Sequence, residues 1–203
     1  MTASGILRTF LLFAACACLG NATTISLTGT FQADDQIETT TFTTTGATVI
    51  RTFSYGGGTN GAQQVIAAGG FDPLLNIFDS LGNQVGSFDN SAGGTPCLGG
   101  ITAGTNGCLD AYYSATLDPG TYTLTLTQFD NLLDGSLLSD GFLSSHLCSE
   151  AFCDAFDQTT ARTGNWAVDI TTPNVVTGTP EPATMFLAGC GLTLLFCRFR
   201  KLN

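Results

Sequence analysis

Positive charge is nearly absent from this chain outside its last six residues. Of 203 residues only six are Lys or Arg, and no lysine occurs before Lys201. Between Thr23 and Thr172 the only cations are Arg51 and Arg162, against fifteen of the chain's sixteen acids. Such a surface excludes nucleic acid as a partner, because that binding needs Lys or Arg to displace counterions. It repels anionic lipid headgroups for the same reason. Its ionic partners are divalent cations or simply water, since acidic surfaces favour solubility.

Groups that do chemistry are equally sparse. His146 is the only histidine, in a Ser144-Ser145-His146 loop, and no Gly-x-Ser-x-Gly elbow offers it a nucleophile. Gly56-Gly57-Gly58 has no Lys behind it and no helical run after it, which makes it a turn and not a phosphate cradle. A carboxylate pair of the glycosidase type is the enzymatic arrangement that counting leaves open. No spacing singles out two acids from the rest. A non-catalytic protein is therefore expected, with no cofactor; a secreted hydrolase with a cryptic carboxylate pair is the alternative.

What is present is β-structure. Short runs of Thr, Val, Ile, Phe and Tyr, separated by Gly, Asp, Asn and Pro, predict an all-β fold, a single β-sandwich over residues 23–172. About 150 residues suffice for one domain with a real core. Thr24–Phe31 reads as a strand with Ile25, Leu27 and Gly29 on one face. Gln36–Thr43 alternates around Ile37 and Phe42. Ala47–Tyr55 offers two faces, one with Val49, Arg51, Phe53 and Tyr55, the other with Ile50 and Thr52, and either one fits a core. Leu74–Phe78 and Gln84–Phe88 form a hairpin about Leu81-Gly82-Asn83. Ala111–Leu117 runs into the turn Asp118-Pro119-Gly120, and Thr121–Phe129 follows with a period of two. Tyr122 is placed to act as a tyrosine corner. Asn165–Thr171 closes the domain with Trp166, Val168 and Ile170 inward. Ser149–Phe156 has room for a single helical turn.

Both ends are hydrophobic and stand apart from the fold. Residues 1–22 have the parts of a secretory signal helix: Arg8, the apolar run Thr9–Leu19, and the small cleavage site Gly20-Asn21-Ala22. Lipid attachment at Cys16 or Cys18 is disfavoured, because Phe13 and Ala15 stand where an aliphatic residue belongs. At the other end, residues 173–179 are a Thr/Pro/Gly linker. Residues 180–203 then comprise Pro180-Glu181-Pro182, the apolar run Ala183–Cys197, and the basic stop Arg198, Arg200 and Lys201. The positive-inside bias keeps those cations cytoplasmic and leaves the Pro-Glu-Pro at the outer face of the inner membrane. Fifteen residues at ~1.5 Å rise cover roughly 22 Å of a ~30 Å hydrocarbon core. Snorkelling of Arg198 and Arg200 narrows the gap. So marginal a transmembrane helix suits a temporary anchor better than a permanent one.

This terminal arrangement resembles the PEP-CTERM signal of Gram-negative bacteria, on Pro180, Glu181, Pro182, the apolar span and the tail to Lys201. The resemblance implies an exosortase-like processing enzyme as partner and delivery to the cell envelope or extracellular matrix. It also implies a role linked to exopolysaccharide and biofilm. The middle resembles the jelly-roll-like domains found as bacterial pre-peptidase C-terminal modules. That likeness lies in Gly70–Asp79, Gly82-Asn83, Phe88-Asp89-Asn90, Leu117–Tyr122 and Gly164–Ile170, and it implies a jelly-roll-like, non-catalytic module. The long insert Asn131–Thr163 departs from it.

Four cysteines fall in the domain, Cys97, Cys108, Cys148 and Cys153, and allow three pairings. Closeness in sequence favours Cys97–Cys108 and Cys148–Cys153. The rival for the second pair is a zinc site with His146, but export favours disulfides. Asp34, Asp35, Asp72, Asp89 and Asp130 sit at strand ends and are candidate calcium ligands, although turn formation explains them too. Tyr55, Tyr112, Tyr113 and Trp166 would stack on sugar rings if exposed in a row. Tyr112 and Tyr113 are adjacent, so only one of them can point inward.

Overall fold

The structure is a computed structural model that describes residues 22–90, 109–145, 147–153 and 162–173. Residues 1–21 of the expected signal segment, the Pro-Glu-Pro signal with its transmembrane helix and basic stop, Cys97, Cys108 and His146 all lie outside the described residues. Among the described residues there is no α-helix, and no helix long and apolar enough to cross a membrane.

The described residues form ten strands: β1 (Ala22–Thr30), β2 (Glu38–Thr44), β3 (Ala47–Thr52), β4 (Gly58–Thr59), β5 (Val65–Ile66), β6 (Pro73–Phe78), β7 (Gln84–Phe88), β8 (Tyr112–Thr116), β9 (Gly120–Gln128) and β10 (Asn165–Pro173). They form two four-stranded sheets, ordered β1-β10-β3-β8 and β2-β9-β6-β7, with β4 and β5 as a separate short pair. All strand pairings are antiparallel. The pairing is nested: β1 with β10, β2 with β9, β3 with β8, and β6 with β7 in the middle.

One core lies between the sheets. The first sheet contributes Ile50, Tyr113, Trp166, Val168 and Ile170; the second contributes Phe42, Leu75, Ile77, Tyr122, Leu124 and Leu126. Complete burial of an aliphatic or aromatic side chain contributes about 1.5–3 kcal/mol, so these positions fix the register of each strand. The ambiguity in β3 is settled by Ile50, which is fully buried, while Val49 and Arg51 face outward. In β2, Phe42 is inside, whereas Ile37 is 42% exposed and precedes the strand.

Local chemistry fixes the ends. Tyr122 donates its hydroxyl to the Asp118 carbonyl at 2.9 Å, the corner expected from the sequence. At the other end, Phe71 stacks on Phe31 (5.1 Å between centroids) and meets Phe152 (5.6 Å), and Phe31 touches Trp166 (5.9 Å). Gly29 lies against the indole so closely that a Cβ there would come within 2.4 Å of the ring. Glycine is required by close approach at that position, not by its dihedral freedom.

The second sheet is covered on its outer side as well. Leu74, Asn76 and Phe78 of β6, with Thr125 and Thr127 of β9, face away from the core and are nonetheless buried. The segment after β9 accounts for this. It runs the length of the sheet, where the Gln84 N–H reaches the Ser136 carbonyl and the Leu138 N–H reaches that of Gly82, both at 2.9 Å. It then turns back through a 3-10 turn at Leu138–Asp140, and the Leu143 N–H meets the Leu132 carbonyl at 2.8 Å. The insert noted in the sequence thus begins as a seal over one face of the sandwich.

Candidate functional site

Among the described residues, the outer face of the first sheet is not sealed. The chain leaves β3 at Phe53 and makes a tight turn around the buried carboxylate of Asp110. That carboxylate accepts the N–H groups of Ser54 (2.6 Å), Gly56 (2.7 Å) and Tyr55 (3.2 Å), and the Thr52 hydroxyl (3.2 Å). Burial pushes the Asp110 pKa up, against the opposing pull of those donors. The β4–β5 hairpin that follows arches across the sheet. At its tip, the Gly61 N–H donates to Asp169 of β10 at 2.7 Å, and a Cβ on Gly61 would meet Thr24 and Ser26 of β1.

Beneath and beside this hairpin is a cleft of about 400 Å³. Its floor is Val49 and Arg51 of β3, Tyr112 of β8 and Asp169 and Thr171 of β10; its wall is Thr59, Asn60, Gly61 and Gln63. The hairpin is internally braced by Asn60, whose side chain accepts the Gln64 N–H (2.8 Å) and donates to the Gln64 side-chain oxygen (2.9 Å). Gln63, braced this way, sits at φ 64°, a left-handed conformation rare for any residue but glycine.

Two arginines are the only cations of the described domain, and both lie over tyrosine rings. Arg162 is 3.5 Å from the centroid of Tyr55 and donates to the Gly70 carbonyl at 3.4 Å. Arg51 is 5.2 Å from that of Tyr112 and makes no hydrogen bond or ion pair with a described residue. Asp169, its cross-strand neighbour, is engaged elsewhere: it accepts the Ser26 hydroxyl at 2.6 Å and the Gly61 N–H. The cleft therefore offers a guanidinium over a tyrosine ring and neutral polar groups, with a single carboxylate already satisfied.

The aromatic candidates separate. Tyr112 lines the cleft and is half-buried; Tyr113 points inward against Phe88, 4.6 Å between centroids. Trp166 is a core residue, 5% exposed. Tyr55 lies under Arg162. No row of exposed aromatics forms among the described residues.

The acidic candidates come to one end of the second sheet. Asp34 and Asp35 precede β2, Asp72 precedes β6, Asp89 follows β7 and Asp130 follows β9, and the antiparallel register puts all four positions together. The Phe129 N–H meets the Asp72 carbonyl at 2.8 Å, and the Asn131 side chain donates to that of Asp35 at 3.2 Å. Among the described residues, however, no three of these carboxylates converge at metal-ligating distance; the group that does is Asp34 with Cys148 and Cys153. Those two cysteines form a disulfide, as expected. Its sulfurs are not thiolates, the form in which cysteine holds zinc. Asp34 is fully buried and accepts the Cys153 N–H at 2.9 Å, which ties the disulfide loop to the sandwich.

A second groove of about 290 Å³ lies between β1 and the start of β2, lined by Leu27, Phe31, Ile37, Glu38 and Trp166. Comparison of the sequence with protein-family models and with curated proteins finds no match.

Proposed function

We propose that this is an exported, non-catalytic protein of the cell envelope or extracellular matrix that binds polysaccharide through the cleft on its first sheet. The observation that carries the binding role is the Arg51–Tyr112 pair beside the β4–β5 hairpin, whose guanidinium lines the cleft and meets no acceptor among the described residues. Sugar recognition uses this mixture of a ring face and neutral or charged hydrogen-bonding groups. Neither described cleft contains two carboxylates: one holds Asp169 and the other Glu38. That favours the binding role over a hydrolase with a carboxylate pair.

Delivery rests on sequence chemistry. The signal peptide at residues 1–22, the Pro180-Glu181-Pro182 motif, the apolar span and the Arg198/Arg200/Lys201 stop resemble an exosortase-processed sorting signal, with passage through the inner membrane before cleavage. The Cys148–Cys153 disulfide fits an oxidising compartment. The nested pairing of strands supports the jelly-roll-like module inferred from the motifs.

Two experiments test the proposal. Intact-mass analysis of the mature protein, reduced and non-reduced, should show loss of Met1–Ala22 and of the tail beyond the Pro-Glu-Pro; retention of that tail would make it a permanent anchor. Affinity electrophoresis through gels cast with matrix polysaccharide from the producing cells should retard the native protein and not Tyr112→Ala. Equal mobility of the two would remove the binding role.

A further inference from the structure

We infer that the cleft selects a sugar unit bearing a carboxylate, a uronate, spaced among uncharged sugars. This rests on the polysaccharide-binding proposal and names the ligand class within it. Arg51 is the reason. Its guanidinium is held over the Tyr112 ring, half-buried, and meets no acceptor among the described residues. The acceptor that would ordinarily take it, Asp169, stands opposite in the β3–β10 pairing. Both oxygens of Asp169 are engaged, one by the Ser26 hydroxyl and the other by the Gly61 N–H. Asp169 thus holds the hairpin in place while Arg51 keeps its donor edge for an outside group.

A planar guanidinium with parallel N–H donors matches the two oxygens of a carboxylate. Attraction to the ring face restrains the side chain and lowers the ordering cost of binding. On the opposite wall, Thr59 and Gln63 are exposed and uncharged, partners suited to ring hydroxyls. Gln63 keeps its left-handed φ of 64° beside the cleft, and local strain of this kind clusters where a binding surface is shaped.

The rest of the domain sets the spacing of the ligand charge. Fifteen acids against two cations repel a polymer charged at every residue. A single uronate flanked by neutral sugars meets Arg51 with little of that repulsion.

The test is calorimetric titration of the full chain in detergent with an oligosaccharide containing one glucuronate, and with the same oligosaccharide after carboxyl reduction. The acidic form should bind about tenfold more tightly or better, the range of one charge-assisted contact. Arg51→Gln should erase that preference, read as the ratio of acidic to neutral affinity, and Arg51→Lys, which keeps charge without the fork, should restore part of it. Unchanged thermal melting of both variants will show that folding is intact. Equal binding of the two oligosaccharides, still weakened by Tyr112→Ala, would overturn the uronate assignment and leave polysaccharide binding standing. Displacement by inorganic sulfate as readily as by free glucuronate would also overturn it, in favour of a general anion site. Failure of both oligosaccharides to bind would overturn the binding role itself.

Discussion

The two outer faces of this sandwich have been treated differently by the chain that crosses them. On the second sheet, the segment after β9 lies down over β6 and β9 and buries a phenylalanine, a leucine and three polar side chains. On the first sheet, the β4–β5 hairpin touches down at Gly61 and stands over an open cleft. A face that is sealed contributes to stability. A face that is bridged contributes little stability and leaves its polar groups for a ligand. The difference lies in the residues beneath: Phe78 has no favourable state but a covered one, whereas Arg51 and Asp169 would be costly to bury.

The two faces should differ most in their response to substitution at Phe78 and Tyr112. Phe78→Ala should destabilise the protein by about 3–5 kcal/mol, the range for emptying a filled aromatic site. Tyr112→Ala should cost no more than about 1 kcal/mol, the cation–π contact and some half-buried area. Urea unfolding of the two variants checks both values; similar losses would mean that the faces do not differ.

The hairpin's own support comes next in size. Asp110→Ala orphans the N–H groups of Ser54, Tyr55 and Gly56 and should cost about 3 kcal/mol, since each buried unpaired donor costs ~1–3. The carboxylate also carries a pH signature. Because burial raises its pKa in the folded state, the native protein holds this proton more tightly than the unfolded chain does. Its contribution to stability is therefore full below the ordinary carboxylate value and falls as pH rises through the raised one. In Asp110→Asn that falling limb should vanish from the stability–pH curve measured upward from about pH 3.

How much of this was legible in sequence depends on the element. β9 reads directly, because Tyr122, Leu124 and Leu126 alternate with threonines and only one face is apolar. β3 does not, since Val49 and Phe53 are as apolar as Ile50; Phe53 is buried on the outer side, under a hairpin the pattern did not predict. That hairpin has strands of two residues, too short to show a period. Its signal was Asn60-Gly61, a turn dipeptide. The cleft itself draws on β3, β8, β10 and the hairpin, and nothing local to any one of them marks it. The outward choice between Tyr112 and Tyr113 was readable as a choice, not as an answer. The strand-end acids were readable as a group; their failure to converge is a matter of side-chain direction, which spacing does not carry.

A smaller effect sharpens the account of the sealed face. The hydroxyls of Thr125 and Thr127 are buried there without hydrogen-bond partners. Thr125→Val keeps the shape and removes one such group, so it should leave stability unchanged or raise it by about 1 kcal/mol. A clear loss in thermal melting would show that a buried water completes the hydroxyl.

Ligand is expected to meet the first sheet's outer face. Backbone amide shifts of the full chain, recorded with and without the glucuronate oligosaccharide, test it most directly. Shifts are expected at Arg51, Thr59, Gln63, Tyr112 and Asp169 and none along Asn131–Leu143. Shifts confined to that segment, or to the groove at Ile37 and Trp166, would contradict it.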